Sequence, residues 1–204
     1  MKPTILLALA WLFIACAAED DYIPLNIEQV FVDAPEKTIL VDIIYVLPSH
    51  NPNQNIYQLN EQEFIKTLNG SYFHRNDIGL VLGNTLNLVS DELYDLKDNR
   101  NNELSTFLSE TQSSYRPDRL NIYIMKRSNT IALAGLGSNK RVLITDEHIH
   151  KTTSPHEIGH SLGLHHTSTE SNIMCLVNPY LRRNFNPSQV AQMKNRITEI
   201  NEAD

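Results

Sequence analysis

The sequence contains few cysteines and has no excess of positive charge. Only Cys16 and Cys175 are cysteines among its 204 residues, and 24 acidic residues outnumber 17 basic ones, which gives a net charge of −7. Two cysteines at this distance do not indicate a disulfide framework. No basic patch is present that would attract nucleic acid or an anionic lipid surface. We therefore expect no nucleic-acid partner.

Internal repeats are absent, and long apolar runs are missing beyond the N terminus. Residues 5–15 form one unbroken apolar run after Met1-Lys2, too short to span a bilayer as a mature helix and typical of a signal peptide. The overall composition, 41% hydrophobic and 20% charged, is that of a globular chain. The sequence therefore predicts a signal peptide over residues 1–15, a tether over 16–36 and one domain over 37–204.

The end of the apolar run resembles a bacterial lipobox. It reads Leu-Phe-Ile-Ala-Cys over residues 12–16, although Phe13 departs from the usual Leu. The resemblance implies that Cys16 is lipidated and that the acyl chains alone contact the membrane. The acidic residues 19–21 that follow resemble the surface-export signal of some Gram-negative lipoproteins. We expect an outer-membrane or cell-surface lipoprotein; cleavage near Ala17 or Ala18 and soluble secretion is the alternative.

Residues 156–166 carry the strongest chemical signal, His-Glu-Ile-Gly-His-Ser-Leu-Gly-Leu-His-His. On a helix, His156 and His160 project from the same face, one turn apart. Gly163 allows the chain to leave the helix in a left-handed conformation and to bring His166 round as a third ligand. Three imidazoles leave one position of a tetrahedral Zn²⁺ open to water, and Glu157 can reach that water without being a ligand. The pattern predicts one catalytic zinc ion.

A simpler explanation of the same residues is a helix start. Ser154 could be the N-cap, Pro155 the first helical residue and Glu157 part of a capping box. This explanation accounts for neither Gly163 nor His166, so the zinc interpretation is favoured.

The extended motif resembles the metzincin clan of zinc peptidases. Met174 lies eight residues after His166, a spacing similar to that of the matrixins, and it matches the methionine of the clan's Met-turn beneath the metal. Leu176 occupies the position at which several families carry a tyrosine, so no tyrosine role is carried over. The strand-like residues 120–124 and 142–144 and the helix start at 185–190 resemble pappalysin-like members of the clan.

Local patterns predict the order of the elements. A strand is expected over residues 38–47, a helix over 60–72 after an Asn cap, and one kinked strand or two strands over 78–89. Further along, the patterns predict a loop over 91–102, a short helix over 103–109, a strand over 120–125, an edge region over 131–144, the zinc helix from Ser154 and a last helix from Asn186-Pro187. This order is that of an α+β metzincin-like zincin domain: a twisted mixed sheet with an edge strand at the cleft, the zinc helix, the Met-turn and a C-terminal helix.

These observations lead to the hypothesis of a zinc-dependent endopeptidase acting on extracellular proteins or peptides. Glu157 would be the general base and then the general acid. A substrate would pair with the edge strand at Ala134, Gly135, Leu136 and Gly137, beside a wall formed by Leu176 to Tyr180. The alternatives are a non-catalytic zinc-binding lipoprotein that binds a protein partner and a structural zinc module with Cys175 as fourth ligand.

The sequence does not determine whether a second metal binds or how many chains associate. A second metal could bind at His148 and His150 near Asp146 and Glu147, but no Asp-and-Gly calcium loop accompanies them, so a solvated loop is favoured. We expect a monomer, although no pattern in the sequence determines the oligomeric state.

Overall fold

Five strands form a single mixed sheet in the order β2-β1-β3-β5-β4. The computed structural model describes residues 27–52, 56–96, 102–126 and 135–202. The strands are β1 (Lys37–Leu47), β2 (Ile78–Val89), β3 (Leu120–Met125), β4 (Gly135–Ser138) and β5 (Arg141–Thr145). The α-helices are α1 (Glu61–Leu68), α2 (Asp91–Tyr94), α3 (Glu103–Glu110), α4 (Thr153–Ser161) and α5 (Pro187–Asn201).

The central strands are parallel and covered on both faces. β1 pairs with β2 and β3, and β3 pairs with β5, all in parallel. All six residues of β3 and all five of β5 are buried, which explains why these strands appear in the sequence as apolar runs rather than as alternating patterns. One core lies between the sheet and the helices α1, α4 and α5, and a smaller one includes residues of α2 and α3. β4 is antiparallel to β5 and lies at the end of the sheet.

Most predicted elements are confirmed, with small shifts at their ends. Asn60 caps α1 by accepting a hydrogen bond from the Glu63 amide, but the α-helix ends at Leu68 and continues as a π-helix over Asn69–Phe73. α5 begins with the capping box of Asn186 and Gln189. The kink expected near residue 83 is an irregular register between β1 and β2 within one continuous strand.

Two local predictions were wrong. The residues after Ser90 are not all loop, because the Ser90 side chain accepts a hydrogen bond from the Leu93 amide and starts the short helix α2. α4 begins at Thr153 rather than after a Ser154 cap. The Ser154 hydroxyl instead donates to the Ile149 carbonyl, 2.5 Å away, and Pro155 lies within the first helical turn, where its missing N–H is tolerated.

A buried carboxylate stabilises the irregular pairing of β1 and β2. Asp42 is fully buried, and its Oδ1 accepts hydrogen bonds from the Asn84 amide at 2.8 Å and from Arg119 Nη1 at 3.2 Å. Gly83 leaves room for this carboxylate, because a Cβ there would overlap Asp42 Oδ1. The ion pair joins the residue before β3 to β1.

Within the described ranges, no helix has the length and hydrophobicity needed to cross a membrane. The predicted signal peptide, the lipidation site Cys16 and the first part of the tether lie outside these ranges. The division of the chain into segments stays a prediction.

Candidate metal centre

The helix that carries the predicted ligands is held directly under the edge strand. Gly137 of β4 packs so closely on α4 that a Cβ would stand 2.9 Å from His160 Cβ and closer still to the Glu157 carbonyl oxygen. The absence of a side chain at Gly137 therefore allows a close approach to the helix. It places β4 beside the face of α4 that carries the histidines.

The turn after α4 has the conformation expected from the glycine in the motif. Gly163 has a φ of +91°, which an L side chain rarely adopts. The Leu164 amide donates to the Gly159 carbonyl and the Gly163 amide to the His160 carbonyl, both at 2.9 Å, which together form a Schellman ending. Gln192 of α5 donates to the Gly163 carbonyl at 2.7 Å and fixes the turn.

The three predicted ligands converge on one point. His160 Nε2 lies 3.2 Å from His156 Nε2 and 2.9 Å from His166 Nε2. In two of the rings the other nitrogen donates to a backbone carbonyl: His156 Nδ1 donates to Ile173 at 2.7 Å and His160 Nδ1 to Leu164 at 2.8 Å. Since these Nδ1 atoms carry the hydrogens, the converging Nε2 atoms of both rings present lone pairs.

This donor set fits a zinc ion. Lone pairs this close repel each other unless a cation lies between them, and two nitrogens bound to tetrahedral zinc at about 2.0–2.1 Å are about 3.3 Å apart. Burial lowers the pKa of His156 to about 3 and lowers the pKa of His160 and His166. All three imidazoles are therefore neutral at pH 7, the form that binds metals.

In the part of the chain that the structure describes, no Cys, Asp or Glu joins this cluster. Cys175 is buried, as expected of an inert thiol, but it is not a fourth ligand, which argues against the structural zinc module. The described residues thus provide three ligands and leave a coordination position open, as in catalytic zinc sites.

Glu157 is buried beside the ligands without a hydrogen-bond partner for its carboxylate among the described residues. Only 9% of the residue is exposed. Burial raises the pKa of Glu157 to about 7, and the positive charge of Arg182 opposes this shift. A carboxyl with a pKa near neutrality can both accept and donate a proton.

Met174 lies beneath the histidines, at the position expected of a Met-turn. It is fully buried, and its side chain contacts the helix at Gly159, where a Cβ would overlap the sulfur. The Asn172 side chain accepts a hydrogen bond from the Met174 amide at 2.8 Å, and it donates to Gln189 of α5 at 2.7 Å. Sequence reasoning missed this role of Asn172, although an Asn two residues before a turn residue is a known turn signal.

The residues predicted to bind the substrate lie in β4 and in the loop after the Met-turn, except for one outside the described residues. Gly135 and Gly137 belong to the edge strand β4, whereas Ala134 lies outside the described residues. Leu176 and Tyr180 are 62% and 46% exposed, so both are available to a ligand. Their part in substrate binding stays a prediction, as does that of Leu136 in β4.

Among the described residues, the candidate ligands of the possible second metal site do not form a cluster. His148 Nδ1 lies 2.9 Å from Thr145 Oγ1, Asp146 forms an ion pair with Lys126, and His150 packs edge-on against Phe64. The three central histidines are the one cluster of potential metal ligands in the described ranges.

Comparisons with known proteins agree with this geometry. The fold resembles archaemetzincin from Methanopyrus kandleri, with a TM-score of 0.53 and 9% identity over 82% of this chain and 99% of that one. It also resembles metalloproteinase-II from Bacteroides fragilis, with a TM-score of 0.51 and 16% identity over 88% of this chain and 59% of that one. No curated protein matches the chain in sequence. Residues 60–196 match the matrixin family, and the chain therefore belongs to the matrixins, zinc peptidases of the metzincin clan.

Proposed function

We propose that this protein is a zinc-dependent endopeptidase that hydrolyses internal peptide bonds of extracellular proteins. The observation that carries the proposal is the juxtaposition of three converging imidazole nitrogens with a buried carboxylate, Glu157, that has no hydrogen-bond partner among the described residues. A scaffold that only binds a partner has no chemical need for this carboxylate.

His156, His160 and His166 would hold the ion, and their hydrogen bonds to the backbone keep the first two rings oriented. When bound, zinc supplies Lewis acidity that lowers the pKa of water and polarises a carbonyl group. Glu157 accepts the proton of the attacking water and transfers it to the leaving amine. The open position among the histidines and the exposed Leu176 and Tyr180 leave this region accessible to a polypeptide.

The substrate would bind in extended form along β4. This strand pairs with β5 on one side only among the described elements, so its other edge offers backbone donors and acceptors to a peptide. Pairing through the backbone accepts many sequences and does not require a chain terminus, which supports cleavage at internal bonds.

Zinc content and casein cleavage of the wild type and of Glu157→Ala test the proposal. We expect wild-type protein to bind one zinc ion and to cleave casein, and Glu157→Ala to keep the zinc and lose cleavage. His166→Ala should lose zinc as well, whereas His165→Ala is the matched control, because this neighbouring histidine is exposed and outside the cluster. Zinc binding by a wild type that cleaves neither casein nor a peptide library would favour the partner-binding lipoprotein instead.

We further propose that the enzyme is exported and attached to the outer membrane or cell surface by acyl chains on Cys16. The lipobox-like residues 12–16 and the preceding apolar run support this location. Metabolic labelling with a fatty-acid analogue should label the wild type but not Cys16→Ala. An unlabelled wild type in the culture medium would indicate soluble secretion.

A further inference from the structure

Arg182 is a buried cation near the site, and the peptidase mechanism does not use it. Only 6% of the residue is exposed, and its Nε donates a hydrogen bond to the Cys175 carbonyl at 2.7 Å. Among the described residues, no carboxylate lies within salt-bridge distance of it, and neither Nη nitrogen forms a hydrogen bond. Arg119, by contrast, forms an ion pair with the buried Asp42, which is the usual way to compensate a buried charge.

The Nη nitrogens of Arg182 are not sealed inside the protein. The buried polar atoms without a partner in the described ranges belong to Asp42, Arg75 and Arg141, and none belongs to Arg182. Both Nη groups therefore contact solvent, although the rest of the side chain is enclosed. A guanidinium in this state offers paired N–H groups to an incoming acceptor.

The surrounding loop attaches this guanidinium to the segment that supports the metal centre. Residues 175–182 leave the Met-turn and return to the start of α4, where the Thr152 hydroxyl donates to the Pro179 carbonyl at 2.8 Å. Within this loop, Leu176 and Tyr180 face solvent and Arg182 points inward. Cys175, whose carbonyl accepts from Arg182, follows Ile173 by two residues, and the Ile173 carbonyl accepts the hydrogen bond from His156 Nδ1, so Arg182 is attached to the segment that supports the metal centre.

We infer that Arg182 is a specificity-determining residue whose Nη nitrogens bind a carboxylate of the substrate next to the scissile bond. The inference rests on the peptidase function proposed above. Glu157 and the histidines define the position of the scissile carbonyl, so a group that reaches Arg182 belongs to an adjacent residue. Planar guanidinium and carboxylate groups form two parallel hydrogen bonds. The carboxylate is either an Asp or Glu side chain or the free C terminus of a short peptide.

Digestion of a matched peptide pool tests the inference. Each synthetic decapeptide is made with Glu or Gln at its central position and with a free or an amidated C terminus, and cleavage products are quantified by mass spectrometry. We expect the wild type to cleave beside Glu about tenfold or more faster than beside Gln, since hydrogen bonds to a charged group are stronger than those to a neutral amide. If the terminal carboxylate is the ligand, cleavage will instead occur next to the C terminus and be lost on amidation.

Two variants separate recognition from structure. Arg182→Gln should abolish the preference for the carboxylate, and Arg182→Lys, which keeps the charge without the fork, should retain part of it. The matched control is Arg183→Gln, because Arg183 is the exposed neighbour and should leave the preference intact. If Arg182→Gln lowers the melting temperature but the wild type never distinguishes Glu from Gln, Arg182 only supports the loop and the inference is wrong.

Binding to zinc-loaded Glu157→Ala protein distinguishes failure of this inference from failure of the proposed function. Fluorescence anisotropy with the same labelled peptides should show tighter binding of the Glu than of the Gln peptides. Selective binding without any cleavage by the wild type would overturn the peptidase proposal and leave carboxylate recognition standing. Cleavage without selectivity would overturn the inference alone.

Discussion

The contact between β4 and α4 can be tested at Gly137. In Gly137→Ala, the new Cβ would stand 2.9 Å from both His160 Cβ and the Glu157 carbonyl carbon, whereas ordinary contacts begin at 3.4 Å. The Glu157 carbonyl carbon and its oxygen are backbone atoms of a helix, so no side-chain rotation relieves the overlap. Because the Glu157 carbonyl oxygen would be closer still, the strand and the helix must separate by about 1 Å or more to restore normal contact distances.

This separation should lower both the free energy of unfolding and kcat/KM. Overpacking by one methyl group costs about 1–3 kcal/mol of unfolding free energy, and each kcal/mol lowers the melting temperature of a domain of this size by about 2–4 °C. A displacement of about 1 Å at a catalytic group costs about a hundredfold in rate, so this separation should lower kcat/KM about a hundredfold. The zinc content should stay close to one ion per chain, because all three ligands remain.

Urea unfolding and kcat/KM on a casein-derived peptide measure these effects. Gly79→Ala is the control, because a Cβ at that glycine would meet the Pro35 and Thr38 side chains at 3.0 Å or more, away from the site. We expect the control to keep its activity. A Gly137→Ala protein with wild-type stability and wild-type kcat/KM would refute the described packing of β4 on α4.

Three further changes test other parts of the structure. Gly163→Ala should destabilise the protein by about 1–2 kcal/mol, since its φ of +91° is costly with a Cβ, and Gly163→Asn should cost less in the same thermal melts. Asp42→Ala should cost about 1–3 kcal/mol in urea unfolding, because the Asn84 amide loses its buried acceptor while Arg119 keeps its ion pair with Asp118; unchanged stability would contradict the role of this carboxylate. Burial lowers the pKa of His74, and its Nδ1 accepts a hydrogen bond from the Val32 amide at 3.0 Å. The contribution of neutral His74 to stability is therefore present above about pH 6.5 and is lost as the pH falls through the pKa of His74 in the folded protein. His74→Gln should therefore lose less stability than the wild type between pH 7.5 and pH 5.5, and identical losses in urea unfolding would exclude this role of His74.

The sequence predicted the elements well where the signal was local. The apolar runs of β1, β3 and β5 and the Asn-Pro start of α5 are properties of consecutive residues, so no distant contact was needed to recognise them. The predicted start of α4 was wrong because the Ser154 hydroxyl donates to the Ile149 carbonyl instead of capping the helix. A side chain with two possible partners cannot be assigned from its neighbours in sequence.

By itself, the sequence predicted the cluster of candidate metal ligands, because spacing on a helix and one glycine turn bring His156, His160 and His166 together within eleven residues. Only the tertiary structure decided what surrounds them. The packing of Gly137 on α4 and the contact of the loop after the Met-turn with Thr152 depend on residues about 20 or more apart in sequence. No periodicity or local motif encodes such contacts, because they arise only when the sheet, the helix and the loop after the Met-turn pack against one another.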